Sequence, residues 1–200
     1  MEIDTFDSAG WIGVVPFFMA ATRPRCMPPF PPVGNFAELN VRTYVRVNGV
    51  AGVYFFSLDA CSPLAVKLAR RFFHLNYRHA RMSHRRESGW IEYQSQRTDR
   101  LDPGAALHVR FKSSDTMQTP ARGTLESFLT DRWCLFSASK DGRVFQGDIH
   151  HAPWQLGNTQ VSIETDTMTE FLNLSRPPGQ PHAMYAAGVD VRAWLPRRVV

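Results

Sequence analysis

The residues of this chain best suited to chemistry lie on one alternating stretch. From Phe36 to Val47, Leu39, Val41, Thr43 and Val45 point one way while Glu38, Asn40, Arg42, Tyr44 and Arg46 point the other, the period of two that marks a β-strand. Two readings of the polar face stay open. In one it is the wet side of an antiparallel sheet. In the other it lines an interior, with Glu38 and Arg42 as an i, i+4 ionic set, Asn40 between them and Tyr44 beyond. Burying such a pair costs several kcal/mol per ion, so the second reading implies a polar cavity with a ligand.

A second group follows a helix expected from Ser62 to about His74. Ser62 suits the N-cap, Pro63 the first helical position, and Leu64, Leu68 and Phe72 with Val66, Ala69 and Phe73 keep helical spacing. Arg70 and Arg71 near its end either complement the helix dipole or send one guanidinium inward, with Arg71 the candidate for holding a carboxylate. His74 and Tyr77, just behind, join Glu38 as candidates for proton transfer.

Lysine is scarce. Lys67, Lys112 and Lys140 are the three in the chain, so the net charge of +5 rests almost wholly on arginine. Arginine captures carboxylate or phosphate through a fixed fork, whereas lysine supplies nucleophilic amines, so the composition favours anion binding over imine chemistry. Lys67, within the helix, reads as a solvated surface residue. Adjacent His150 and His151 face opposite sides of a strand and cannot readily share a metal, so neither metal nor cofactor is expected. Glu126, Thr130 and Arg132 read as parts of a capped helix leading into Trp133. The cations of Arg78 to Arg86 lack any accompanying nucleic-acid motif, and alternation splits them across two faces.

These residues must be positioned by short β elements. Trp11 to Met19 reads as a well-buried strand with Pro16 at a bulge or edge. Pro24, Pro28, Pro29, Pro31 and Pro32 mark a flap that could cover the mouth of a site. Asn48-Gly49 turns the Phe36–Val47 strand back into a central strand, Gly52 to Leu58. A meander runs through Tyr77 to Arg86, Gly89 to Arg97 and Ala106 to Lys112. Thr124 caps a second helix to about Thr130, and Trp133 to Ser137 pairs with Arg143 to His151 across Lys140-Asp141-Gly142. The pattern dissolves after Leu174, predicting one domain over 1–175 and a loosely held tail over 176–200. The fold class is mainly β (α+β): a mixed β-barrel with two or three short helices.

Four runs in order resemble one family: Phe36-Ala-Glu-Leu-Asn-Val-Arg-Thr-Tyr-Val45, Gly52 to Ala60, Gly123 to Phe136, and Ile149-His-His-Ala-Pro-Trp154. They are similar to the YqjF-like family, domain of unknown function 2071, and the resemblance covers Ile3 to about Leu174. It implies the barrel of the acetoacetate decarboxylase superfamily. Relatives carry another strand and helix before the segment matching Glu2 to Phe6; without them one barrel edge would be open. In the decarboxylase a barrel lysine, activated by desolvation and a neighbouring cation, forms a Schiff base with the substrate. The resemblance places its lysine motif near Phe73-His-Leu-Asn-Tyr77, where no lysine stands. The Phe36-x-Glu38 pattern resembles the strand that carries the decarboxylase's active-site glutamate.

The functional expectation is a cavity that receives a small organic molecule bearing a carboxylate or other anion, held by Arg42 with Asn40, Tyr44 and Arg71, without Schiff-base chemistry. The alternative is a metal-independent acid/base enzyme, a lyase or hydrolase acting on a small carboxylated substrate through Glu38, His74 or Tyr77. Three widely spaced cysteines and an acidic, short apolar N-terminus favour a cytoplasmic protein. The expected partner is the small molecule, with a homo-oligomer left open and neither nucleic acid nor membrane involved.

Overall fold

The computed structural model describes residues 1–23, 34–100, 103–114, 116–139, 141–174 and 177–200. The proline-rich segment and its expected role as a flap lie outside these residues. The chain opens with β1 (Glu2–Ile3), the small β2 (Thr5–Phe6) and β3 (Ala9–Gly10) hairpin, and β4 (Ile12–Met19). The axis of the fold is then β5 (Phe36–Val47) and β6 (Val50–Ala60), paired antiparallel from Val47↔Val50 to Glu38↔Ala60. Asn48 and Gly49 make their turn at φ 50° and 80°, left-handed values that an Asn-Gly pair adopts readily.

A bulge sets the chemistry of the two faces. Val41 faces Ser57 but Arg42 faces Phe55, leaving Phe56 as the extra residue. Ser57 and Asp59 therefore share a face with Leu39 and Val41. Glu38, Asn40, Arg42 and Tyr44 share the opposite face with Ala60, Leu58, Phe55 and Val53.

Both outer edges of this ribbon are divided. β5 takes β4 along Phe36–Thr43 and β1 at Val45 and Arg46. β6 takes β7 (Tyr77–Glu87) in parallel at Leu58–Ala60 and β10 (Cys134–Ala138) in parallel at Val53 and Tyr54. The ladder thus forks into two wings. One continues through β8 (Trp90–Arg97), β9 (Ala106–Ser113) and β12 (Gly157–Asp166), the other through β11 (Val144–His151). Among the described residues no pairing joins the ends of the two wings. The expected barrel is corrected to an open, mixed, forked sheet, because two parallel partners leave one edge of β6 at different heights.

Two further expectations change. β4 is a half-buried edge strand instead of a well-buried one, and that edge is where Pro16, with no N–H to donate, does no harm. The segment after Leu174 is tied down at three places: β13 (Met184–Tyr185) pairs with β12, and β14 (Val191–Ala193) and β15 (Arg197–Arg198) pair with β11. The two helices match the sequence reading. In α1 (Pro63–Phe73) the Ser62 side chain accepts from the Ala65 N–H and His74 closes the helix in a left-handed conformation. In α2 (Leu125–Thr130) Thr124 accepts from the Ser127 N–H.

The face carrying Ala37, Leu39 and Val41 packs on Tyr93, Leu107, Val109 and Met168 of the larger wing. Buried beside this apolar layer, Arg97 donates to both Asp59 oxygens at 2.9 and 2.8 Å and to the Ser57 hydroxyl at 2.8 Å. The side chains of this ion pair are 1% and 0% exposed. At the other end Val45 and Val47 pack on Cys134, Phe136 and Val144. Gly52 lets β10 approach: a Cβ there would lie 2.7 Å from Phe136 and 2.8 Å from the Cys134 carbonyl.

Removing one member of a buried ion pair strands the other charge. Asp59→Ala should lower unfolding free energy by about 3–5 kcal/mol in urea titration, whereas Asp59→Leu combined with Arg97→Met should recover most of it. Gly52→Ala should cost about 1–3 kcal/mol in the same assay by forcing β6 and β10 apart.

Candidate functional site

The face of β5 that carries Glu38 is covered, which settles the choice between wet face and interior. The Phe36 and Ala60 end lies under Val66 of α1, and the Tyr44 and Val53 end under Leu129 of α2. Glu38, Asn40 and Arg42 occupy the stretch between.

Glu38 is 4% exposed. Its Oε2 accepts a 3.0 Å hydrogen bond from the Tyr77 hydroxyl, and no salt bridge reaches it among the described residues. Burial, helped by the negative charge of Asp59 across the sheet and opposed by the Tyr77 hydrogen bond, pushes its carboxyl up to about 7. Burial and the adjacent carboxyl push the Tyr77 phenol well above its usual 10, so Tyr77 stays a donor. Tyr77 is itself positioned by α1, since Arg70 donates to the Tyr77 carbonyl at 2.8 and 2.6 Å and is paired with Asp99. From the other side of the strand the Tyr93 hydroxyl holds the Glu38 carbonyl at 2.8 Å.

Asn40 is 5% exposed, and its Oδ1 is buried with no hydrogen-bond donor among the described residues. Its register neighbours, Val15 on β4 and Leu58 on β6, are apolar. Arg42 does not pair with Glu38, which corrects the expected ionic set. It donates from Nε to the Tyr44 hydroxyl and from a terminal nitrogen to the Leu129 carbonyl, each at 3.3 Å. No carboxylate meets it among the described residues. Tyr44 is buried against Phe128, with Arg132 over its ring at 5.1 Å. Trp11 packs against the same cluster and its Nε1 is buried without an acceptor among the described residues.

Five of the expected site residues therefore share one face: Glu38, Asn40, Arg42, Tyr44 and Tyr77. His74 does not join them. As the helix C-cap it is exposed and stacks on Phe145 at 4.8 Å, because its left-handed backbone turns it away from β5. Arg71 is exposed; the guanidinium that turns inward is that of Arg70, one position earlier on the helix. Lys67 and Lys112 are exposed as well. His151 is buried, stacked on Trp133 at 4.6 Å with Nδ1 2.8 Å from the Ala152 carbonyl, while His150 faces out. Arg81, Arg85 and Arg86 are exposed on β7, and Arg85 pairs with Glu92. A shallow hollow of about 140 Å³ lies beside that pair and does not touch β5. No helix among the described residues is long and apolar enough to cross a membrane.

Sequence reasoning missed Asp59, Arg97, Trp11 and the part played by Arg70. Ser57 and Asp59, two residues apart in an otherwise apolar strand, were the available signal for a buried polar pair. Nothing local announces that Arg97, on another wing, completes it.

With this geometry in hand, comparison with known proteins places the chain. A family model described as DUF2071, uncharacterized conserved protein, matches residues 1–190. The chain belongs to the DUF2071 family. Within the family it is 37% identical over 198 residues to the uncharacterized protein YqjF of Bacillus subtilis, covering 99% of this chain and 81% of that one. Its fold is similar to acetoacetate decarboxylase from Legionella pneumophila, with a TM-score of 0.51 at 11% identity over 84% of this chain and 68% of that one. It is also similar to the enduracididine biosynthesis enzyme MppR, with a TM-score of 0.52 at 8% identity over 84% and 66%. An acetoacetate decarboxylase-like enzyme from Sphingomonas wittichii gives 0.50 at 8% identity, over 84% and 71%. At these identities the likeness gives this DUF2071 chain its fold, acetoacetate decarboxylase-like and mainly β.

The raised Glu38 carboxyl gives the chain a pH signature. Below its ordinary 4.5 the group is protonated folded or unfolded; between 4.5 and about 7 only the folded state keeps the proton, so stability falls as pH rises through that window. The loss should reach about 3 kcal/mol and then level off. Glu38→Gln should remove this slope, so that the variant is the more stable protein at pH 8; urea titrations at pH 5 and pH 8 check it, and equal slopes in both proteins would refute it.

Proposed function

We propose that this chain binds a small organic anion along the covered polar face of β5 and exchanges a proton with it through Glu38, without a lysine adduct. The observation that carries this reading is Glu38 itself: a fully buried carboxyl whose partner is a neutral phenol, titrating near neutral pH where a general acid or base works best. Tyr77 engages one carboxyl oxygen and leaves the other for a substrate. Arg42 supplies the cation that would hold a carboxylate, with Tyr44 and Leu129 fixing its fork.

The decarboxylase named among the structural neighbours supplies a fold, and its imine chemistry does not transfer. The turn from Phe73 to Tyr77 has no lysine, and Lys67 and Lys112 lie exposed, away from the covered face of β5. The reading that remains is acid/base chemistry of the lyase or hydrolase type on a small carboxylated substrate. A second reading, binding without catalysis, is favoured by Arg42, a half-buried guanidinium with no acid partner among the described residues.

Calorimetry with butyrate tests both. An anion seated near Glu38 should draw a proton onto it, so binding at pH 7 should take up a fraction of a proton, measured by repeating the titration in buffers of different ionisation enthalpy. Glu38→Gln should abolish the uptake, and Arg42→Met should weaken binding about tenfold or more. Uptake that persists without Glu38 sinks the proton-exchange role, and affinity indifferent to Arg42 sinks the site altogether. Borohydride reduction with acetoacetate should leave the mass of the chain unchanged.

A further inference from the structure

We infer that the site selects a short hydroxycarboxylic acid, its carboxylate on Arg42 and its hydroxyl donating to the buried oxygen of Asn40. This rests on the anion site proposed above and adds the second functional group its ligand must carry.

The inference starts from an acceptor with no donor. Asn40 Oδ1 is sealed from solvent and unpaired, in a chain where Arg97, Arg132 and Arg70 each find carboxylate or carbonyl partners. A buried carbonyl oxygen is almost always paired, so an orphan of this kind calls for a donor that the described residues do not supply. None of its neighbours can serve. Val15 and Leu58 flank it in register, the Tyr77 hydroxyl is engaged by Glu38, and the Arg42 fork is turned to Tyr44 and Leu129.

The spacing then sets the ligand's shape. Positions 38, 40 and 42 lie on one face at intervals of about 6.7 Å along the strand. The Arg42 guanidinium lies on the Tyr44 side of its own position, and a hydrogen bond at each end of the ligand takes up part of the span from it to Asn40. A carboxylate on Arg42 therefore leaves a group on the second or third carbon opposite Asn40, with Glu38 one step further on. Trp11 Nε1, an unpaired donor in the Tyr44 cluster, adds a second hydrogen bond for the carboxylate end. A hydroxyl opposite Asn40 donates to Oδ1. A plain methylene would leave it orphaned. Sites built to hydrogen-bond a substrate group reject the analogue that lacks it far more strongly than apolar pockets reject a missing methylene.

The test compares two probes by calorimetry on the full chain, 3-hydroxybutyrate and butyrate, which differ by one hydroxyl. The wild type should prefer the hydroxy acid by about tenfold or more. Asn40→Leu, close in volume, should bring the two affinities to within about twofold, chiefly by losing 3-hydroxybutyrate. Equal affinities in the wild type, or a preference that survives Asn40→Leu, would overturn the inference. Arg42→Met separates the two levels: if it weakens both probes while the wild type does not distinguish them, the anion site stands and the hydroxyl selection falls. Failure of both acids to bind the wild type at about 10 mM removes both levels.

Discussion

The buried ion pair of Arg97 with Asp59 is the constraint around which the sheet is arranged. Asp59 sits near the end of β6, where that strand passes its edge to β7, and Arg97 ends β8 two strands away. An acid in that layer is tolerable only with a guanidinium on both of its oxygens, so the pair fixes how the larger wing folds back over the β5 and β6 ribbon. Ser57 takes up another Arg97 N–H, and Tyr93, from the same strand as Arg97, reaches the Glu38 carbonyl. Register, wing position and the backbone of the candidate site are therefore linked through one strand.

That linkage sharpens the contrast between two acids on neighbouring strands. Asp59 meets a bidentate cation. Glu38, on the opposite face of the same ribbon, meets a phenol. Burial alone would penalise both ionised carboxylates, and the partner decides the outcome. For Glu38 the result is a carboxyl poised to change protonation near neutral pH, with the charge of Asp59 pushing in the same direction. Arg42 is the nearest arginine in sequence on that face, and it is drawn off by Tyr44 and the Leu129 carbonyl at the end of α2.

Much of this was legible in the sequence. The alternation from Phe36 to Val47, the Asn48-Gly49 turn and the Ser62 and Thr124 caps are local signals, and the structure has each where the pattern puts it. What stayed hidden was non-local. Whether the polar side of β5 is wet or covered depends on two helices that come later in the chain, and alternation says nothing about cover. The fork at β6 arises from two parallel partners, β7 across an intervening helix and β10 three strands further along the chain. Arg70 and Arg71 are neighbours on a helix, so a small uncertainty in helical phase exchanged the inward residue for the outward one.

The unmatched groups on β5 are a cost that packing alone would not retain. Asn40 could be leucine without disturbing its apolar neighbours, which would relieve a buried oxygen of an unmet demand, and Glu38 could be glutamine, which would spare the fold a buried carboxyl that changes charge near neutral pH. Two buried acids elsewhere are matched closely: Asp4 is held by both Arg132 and Arg46, which outweigh the burial that opposes its ionised form, and Asp59 is held by Arg97, which Ser57 also engages. On the β5 row the partners are of another kind: Glu38 meets a neutral phenol, the Asn40 amide oxygen has no donor and Arg42 has no acid partner among the described residues. Three such groups at alternate positions of a single strand can be satisfied together by one small polar molecule, and that shared solution is the physical ground for reading the row as a site instead of three separate defects.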